Sequence, residues 1–223
     1  NRINRNCSFF IPGFLTFEYS ILVFYADKTI DKMKISYLII AIFLFFNGWA
    51  QELPKVKMTT GLGDILLEID TIQAPVTAAN FLDHVESGTY KDAIFYRVVR
   101  MDNQPDNDVK IEVVQGGVFS EVLLEKIKPI IHETTNKTGL KHVDGTLSMA
   151  RMEPGTASTE FFICVGNQPE LDFGGKRNPD GQGFAAFGKV ISGMEVVRKI
   201  QHLKDENQIL EEPLKISHIQ ILK

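Results

Sequence analysis

The chain has 223 residues, 44% of them hydrophobic, and a formal net charge of −4. That length and apolar content suffice for one buried core with appendages and exclude a disordered chain. The acidic balance, with Lys and Arg in no basic stripe, excludes a general nucleic-acid binder, and two cysteines far apart, Cys7 and Cys164, exclude a disulfide framework or a C-x-x-C metal spacing.

The first fifty residues differ in kind from the rest. Met33-Lys34 supply a basic start, Ile35 to Phe46 an apolar run, and Gly48 and Ala50 small residues before Gln51. This is the layout of a secretory signal peptide, whose apolar region spans roughly 7–15 residues. The run is shorter than the roughly 20 residues of a membrane-spanning helix, so membrane attachment is expected only through an uncleaved leader. Gln51 rather than cysteine after the cut argues against a lipoprotein. Residues 1–32 open with Asn and carry a second apolar stretch, Phe9 to Ala26, broken by Pro12 and Glu18. They are read as an over-extended translation, with Met33 the initiator, 33–50 the signal peptide and 51–223 the mature domain. Residues 1–50 hold five Lys or Arg and three Asp or Glu, which leaves 19 basic against 25 acidic side chains, a net charge of −6.

From Val56 the pattern is of short strands. Val56 to Thr60 and Ile65 to Ile69 alternate about Gly61-Leu62-Gly63-Asp64, which predicts a hairpin. Pro75 opens a helix to about Glu86, with Val76, Ala79, Phe81, Leu82 and Val85 as its apolar face and Gly88 ending it. Strands are predicted at Ile94–Val99, Ile111–Gln115, Thr146–Ala150, Glu160–Val165 and Ala185–Ile191. A second helix runs from Met194 to Gln201, and an alternating stretch from Leu214 to Leu222 closes the chain. Many short strands with two helices predict a mainly-β barrel or sandwich.

Cys164, between Ile163 and Val165, reads as a small buried hydrophobe. None of the five histidines has a metal-binding spacing, and His142 reads as a structural hydrogen-bonding residue. Asp172 to Gly183 is rich in Gly, Asn and Pro. Its Asp172, Asn178 and Asp180 lack the order and closing glutamate of a calcium loop, so it reads as a surface turn. No metal and no cofactor are expected.

Phe95-Tyr96-Arg97, Gln115-Gly116-Gly117, Gly145-Thr146-Leu147-Ser148-Met149-Ala150, Glu160-Phe161-Phe162 and Phe187-Gly188-Lys189-Val190 before Gly193-Met194 stand in the order found in cyclophilins. From about Val56 to Lys223 the chain resembles that family. The resemblance implies a closed eight-stranded antiparallel barrel capped by two helices, and cis/trans isomerisation of peptide bonds preceding proline in a monomer acting on proline-containing polypeptides. The leader and Gly183-Phe184-Ala185-Ala186-Phe187 resemble bacterial members, which implies a periplasmic location.

By the same resemblance, Arg97 is the catalytic donor, Gln115 supports the substrate carbonyl and the arginine, and Phe162 is the floor of the proline pocket. Val113 and Leu171 are its walls, Phe184 its rim, Ala150 and Arg151 the segment whose backbone pairs with bound peptide, and Tyr96 and Glu160 further substrate-side residues. Read from residue type alone, Arg97 is a surface arginine, Gln115 a polar strand cap and Phe162 a core residue.

Four departures from the family pattern stand out. A polar insert, Met101 to Lys110, precedes Ile111-Glu112-Val113 and brings Glu112 to where an aromatic wall is expected, an assignment that a one-residue shift would change. Glu160 stands where glutamine is common and is read as pairing with Arg97 and orienting it. Glu170 replaces a tryptophan used in tight cyclosporin binding, which implies weak binding of that drug. The fourth is the long loop from Asp172. With carboxylates at 112 and 160, a non-catalytic module that binds proline peptides is the alternative to an isomerase.

Overall fold

Among the described residues, nine strands form a single antiparallel sheet: β1 (Lys55–Thr60), β2 (Gly63–Ile69), β3 (Ile94–Val99), β4 (Val113–Gly117), β5 (Thr146–Met149), β6 (Phe161–Cys164), β7 (Ala185–Ser192), β8 (Asp205–Glu206) and β9 (Ile209–Leu222). The order β1-β2-β7-β5-β6-β4-β3-β9 returns from β9 to β1, so eight strands close a barrel and no long edge is left open. The two-residue β8 is an extra arm hairpinned onto β9. This computed structural model describes residues 52–120 and 126–222. The expected upstream segment 1–32 and signal peptide 33–50 lie outside the described residues.

Helix α1 (Pro75–Glu86) has the expected bounds, but its buried face is Thr77, Ala78, Phe81 and Val85. Val76 and Ala79, expected on that face, are exposed. The rotation has a polar cause: both Glu133 carboxylate oxygens accept the free amides of the first turn, Val76 N at 3.2 Å and Thr77 N at 2.7 Å, and the Thr77 hydroxyl turns inward to the same group. Phe81 meets Tyr90, Phe161 and Phe187 at ring-centroid distances of 5.2–5.7 Å, the aromatic centre of the core. Helix α3 (Met194–Gln201) buries Val196, Val197 and Ile200. A one-turn helix α2 (Thr135–Thr138) was not expected, because four residues carry no readable period.

The barrel wall has two apolar faces. Along β6, Phe161 and Ile163 point into the main core, while Phe162 and Cys164 belong to a second cluster with Val99, Ile111, Val113 and Leu171. Along β4, Val114 faces inward and Val113 outward. On β9 the inward phase changes: Ile216 is buried, but Ile219 and Ile221 rather than His218 and Gln220 pack on the core, because the register with β1 slips between Thr59 and Thr60.

Candidate active site

The outer apolar cluster becomes a site because one row of ladder partners crosses four strands. Arg97 on β3 is registered with Gln115 on β4, Gln115 with Phe162 on β6, and Phe162 with Ser148 on β5. A β-bulge sets the first member. The β3 register with β4 runs from Phe95 opposite Gly116 to Arg97 opposite Gln115, so Tyr96 is the extra residue there. Phe95 and Val98, three apart, both enter the core, and Arg97 is turned to the outer face.

A cavity of about 260 Å³ opens over this row. Val113, Phe162 and Leu171 line it, with Phe184 5.2 Å from the Phe162 ring and perpendicular to it. Ile111 and Val113 supply the wall, whereas Glu112 between them does not line the cavity. This corrects the placement of Glu112 at the pocket: Ile111 and Val113 both face it, and alternation sends residue 112 the other way.

Arg97 is held by two neutral amides. Its Nη1 donates to Gln115 Oε1 at 2.9 Å, and its Nη2 and Nε donate to Gln208 Oε1 at 2.6 and 3.2 Å. Three of its five N–H groups are used, which leaves one on each terminal nitrogen for a ligand. Burial lowers its pKa and the neighbouring Tyr96 opposes that, yet a guanidinium remains charged throughout the physiological range.

Glu160 does not pair with Arg97. Its carboxylate accepts the Tyr96 hydroxyl at 2.6 Å and the amides of Val118 and Phe119 at 2.9 and 3.3 Å. It fills the space beside Gly117, where a Cβ would lie 2.4 Å from the carboxyl group. The Tyr96 oxygen in turn accepts from Gln115 Nε2 at 2.6 Å. Direction is thereby imposed along the chain: an ionised carboxylate can only accept, so Tyr96 donates to it, Gln115 donates its NH2 to Tyr96, and the Gln115 carbonyl is left facing Arg97. Burial first, then the Glu160 charge, pushes the Tyr96 phenol far above its ordinary value, which keeps it a donor.

Arg151 is a strap for the rim. Its Nε and Nη2 donate to the Gly183 carbonyl at 2.9 and 2.6 Å, it forms a two-pronged pair with Asp180, and its guanidinium lies 5.3 Å from the Phe184 ring centroid. The Ala150 amide donates to the Glu160 carbonyl. A second cavity of about 450 Å³ continues the groove past Ala150, Arg151 and Gln115, with Tyr96, Phe119 and Glu160 on its walls.

Beneath the floor, His142 stacks on Phe162 and spans Asp172 Oδ1 at 2.8 Å and Ser148 Oγ at 2.9 Å. That is the structural part read for it. Burial raises the Asp172 pKa, but hydrogen bonds from His142 and the nearby Lys141 charge outweigh this and hold the carboxyl below its ordinary range. Asp172 and Asp180 are thus committed to His142 and Arg151, and the loop between them is built of turns and bends. Cys164 is fully buried, and burial chiefly pushes its thiol pKa up.

Gln208 was missed. It sits with Asn207 in the two-residue turn between β8 and β9, both at positive φ, +52° and +73°. Asn207 is a residue type that tolerates a positive φ in a two-residue turn, but nothing in the sequence ties that turn to Arg97, 111 positions earlier.

Residues 55–221 match the family described as cyclophilin type peptidyl-prolyl cis-trans isomerase/CLD. Peptidyl-prolyl cis-trans isomerase A of Dickeya dadantii is 38% identical over 176 residues, 75% of this chain and 84% of its own. Peptidyl-prolyl cis-trans isomerase B of Escherichia coli is 37% identical over 149 residues, 66% of this chain and 83% of its own. Among solved structures, a cyclophilin type peptidyl-prolyl cis-trans isomerase of Cryptosporidium parvum superposes with a TM-score of 0.61 at 25% identity, covering 77% of this chain and 98% of that one.

Proposed function

The chain belongs to the cyclophilin-type peptidyl-prolyl cis-trans isomerases, and on that premise we propose that it accelerates X-Pro rotation by donating from Arg97 to the prolyl nitrogen of a twisted transition state. Rotation about a peptide bond faces a barrier of roughly 18–20 kcal/mol because twisting breaks amide resonance. Uncatalysed X-Pro exchange takes tens to hundreds of seconds and limits folding. At half rotation the prolyl nitrogen becomes pyramidal and gains a lone pair. A fixed donor aimed at it favours the twisted state over both planar ones, and each 1.4 kcal/mol or so of that preference is worth about tenfold in rate.

The observation that carries this reading is the row Arg97, Gln115, Phe162 across adjacent strands above an apolar floor. The floor takes a prolyl ring by shape, and the arginine stands beside it with two free N–H groups. Because Arg97 is held by neutral oxygens rather than by a carboxylate, its charge is available to the reacting nitrogen. Ala150 and Arg151 offer backbone for pairing with the peptide. The reading of a binding module without turnover rested on carboxylates at 112 and 160. Glu112 does not line the cavity, and Glu160 acts through Tyr96.

Residues 33–50 are proposed to direct export, with the isomerase acting in the periplasm on proline-containing chains. The support is the charged, apolar and small-residue order from Met33 to Ala50. N-terminal sequencing of the native protein tests it: a mature start at Gln51 is expected, and a chain retaining Phe9 to Ala26 contradicts it. Turnover of an X-Pro peptide lost in Arg97→Ala tests the catalytic assignment.

A further inference from the structure

Two departures from the family pattern, the insert from Met101 to Lys110 and the loop from Asp172 to Gly183, meet at Arg177. Gln104, 1% exposed, knits the insert: its Nε2 donates to the carbonyls of Arg100 and Ile111, and its Oε1 accepts from the Ile111 amide. The same Oε1 and the Val109 carbonyl accept Arg177 Nη1 at 3.1 and 2.7 Å. The loop side is shaped by Gly183, whose φ of +62° and 2.5 Å approach to the Asp172 backbone admit no side chain. Arg177 is thereby fixed on the wall of the cavity that holds Arg97 and Phe162.

The charge at this cavity is unbalanced. Among the described residues, three arginines line it and no Asp or Glu does. Arg151 is neutralised by Asp180, whereas the partners of Arg97 and Arg177 among the described residues are uncharged oxygens. Arg177 leaves its Nε and Nη2 without a protein partner among the described residues. Asn178 beside it has its Nδ2 buried and unpartnered in the same wall. Burial first, then the Arg97 charge, lowers the Arg177 pKa, as expected of two like charges facing one space. One buried amide donor without an acceptor, beside a half-buried guanidinium with an unpaired edge, points to an acceptor supplied by a ligand.

We propose that Arg177 and Asn178 form a carboxylate subsite beside the proline pocket, so that this isomerase prefers peptides carrying a carboxylate next to the proline. A carboxylate matches the open edge of a guanidinium with two parallel hydrogen bonds. Its source is either an acidic side chain in the residue after proline or the C-terminal carboxylate of a chain ending in proline. The inference rests on the isomerase reading of the same cavity.

The test compares amide-capped Ala-Ala-Pro-Ala with the same peptide carrying Glu or Lys after proline, and with Ala-Ala-Pro ending in a free carboxylate. Exchange NMR gives kcat/KM and titration gives Kd. The peptide that meets the subsite is expected to exceed the neutral one by about fivefold to tenfold at low salt, with the Lys peptide below it. Whichever of the Glu and free-carboxylate arms shows the gain identifies the source. The ratio falls to near one in Arg177→Gln and is partly retained in Arg177→Lys. A wild-type ratio near one, or a ratio that survives Arg177→Gln, overturns the subsite. Failure to turn over even the neutral peptide is instead a failure of the isomerase reading, and the Kd ratios still judge the subsite.

Discussion

Gln208 Oε1 accepts the Arg97 Nη2 hydrogen at 2.6 Å from the second position of a two-residue turn, with φ at +73°. That conformation costs a non-glycine residue roughly 1–2 kcal/mol. The turn is held down by Asp205, whose Oδ2 accepts from Gln208 N and Asn103 Nδ2 and whose Oδ1 accepts from Arg100. A locally unfavourable residue therefore stands where its amide fixes Arg97.

Gln208→Gly should separate stability from activity. Glycine relieves the turn, so Tm is expected to hold or rise by about 2–4 °C. With one of its two anchors gone, Arg97 should lose about fivefold or more in kcat, by analogy with other lost positioning contacts. A lower Tm with unchanged kcat contradicts this account; thermal melts and exchange NMR read both.

Tyr96→Phe cuts the chain between Glu160 and Gln115 while keeping the ring. The Gln115 amide is then free to turn its NH2 toward Arg97, so kcat is expected to fall about fivefold to tenfold with little change in KM. Glu160→Gln can still accept from Tyr96 and should remain within about threefold of wild type. A tenfold rise in kcat/KM for Glu160→Gln would mean that the carboxylate competes with substrate for Arg97, against the geometry.

Much of this was legible beforehand, for identifiable reasons. Strands β3, β5, β6 and β7 and helices α1 and α3 were found within a residue or two, because alternation and Pro75 or Gly193 mark them. Arg97, Gln115 and Phe162 came from motif order, and the barrel register joins them. The errors share one cause. Glu112, Glu160 and the α1 face depend on which way a residue points, and partners distant in sequence, such as Glu133 for α1 and Tyr96 for Glu160, decide that. Gln208 and Arg177 are brought to the site by a turn and an insert whose partners lie tens of positions away.

Acidification should weaken the fold through two histidines. Burial is the first cause that lowers the pKa of both His84 and His132. His132 Nε2 meets the Gln182 carbonyl, while its Nδ1 is buried without a partner and would have to carry the second proton. With folded pKa values below the unfolded value of about 6.5, the unfolded chain binds more protons below that pH, so stability is present above it and falls as pH drops. Urea midpoints are expected to fall between pH 7.5 and 5.0 and to fall less in His132→Asn. A midpoint that rises on acidification, or an undiminished fall in the variant, contradicts the assignment.

Cyclosporin should bind weakly. Glu170 is read from the sequence as replacing a tryptophan, and its carboxylate accepts the Lys176 amide at 2.8 Å, closing the loop rather than offering an indole. Calorimetric titration is expected to give no nanomolar complex, and a nanomolar Kd refutes the prediction.

The central claim is that Arg97 acts by donating to the twisted prolyl nitrogen. Exchange NMR on an X-Pro peptide, with wild type, Arg97→Lys and Arg97→Ala compared at equal folded fraction, addresses it most directly. The account predicts a loss of kcat of about a hundredfold or more in Arg97→Ala, a partial loss in Arg97→Lys, and a peptide Kd changed far less than kcat in both. Turnover within threefold of wild type in Arg97→Ala, or a loss explained wholly by weaker binding, would contradict it.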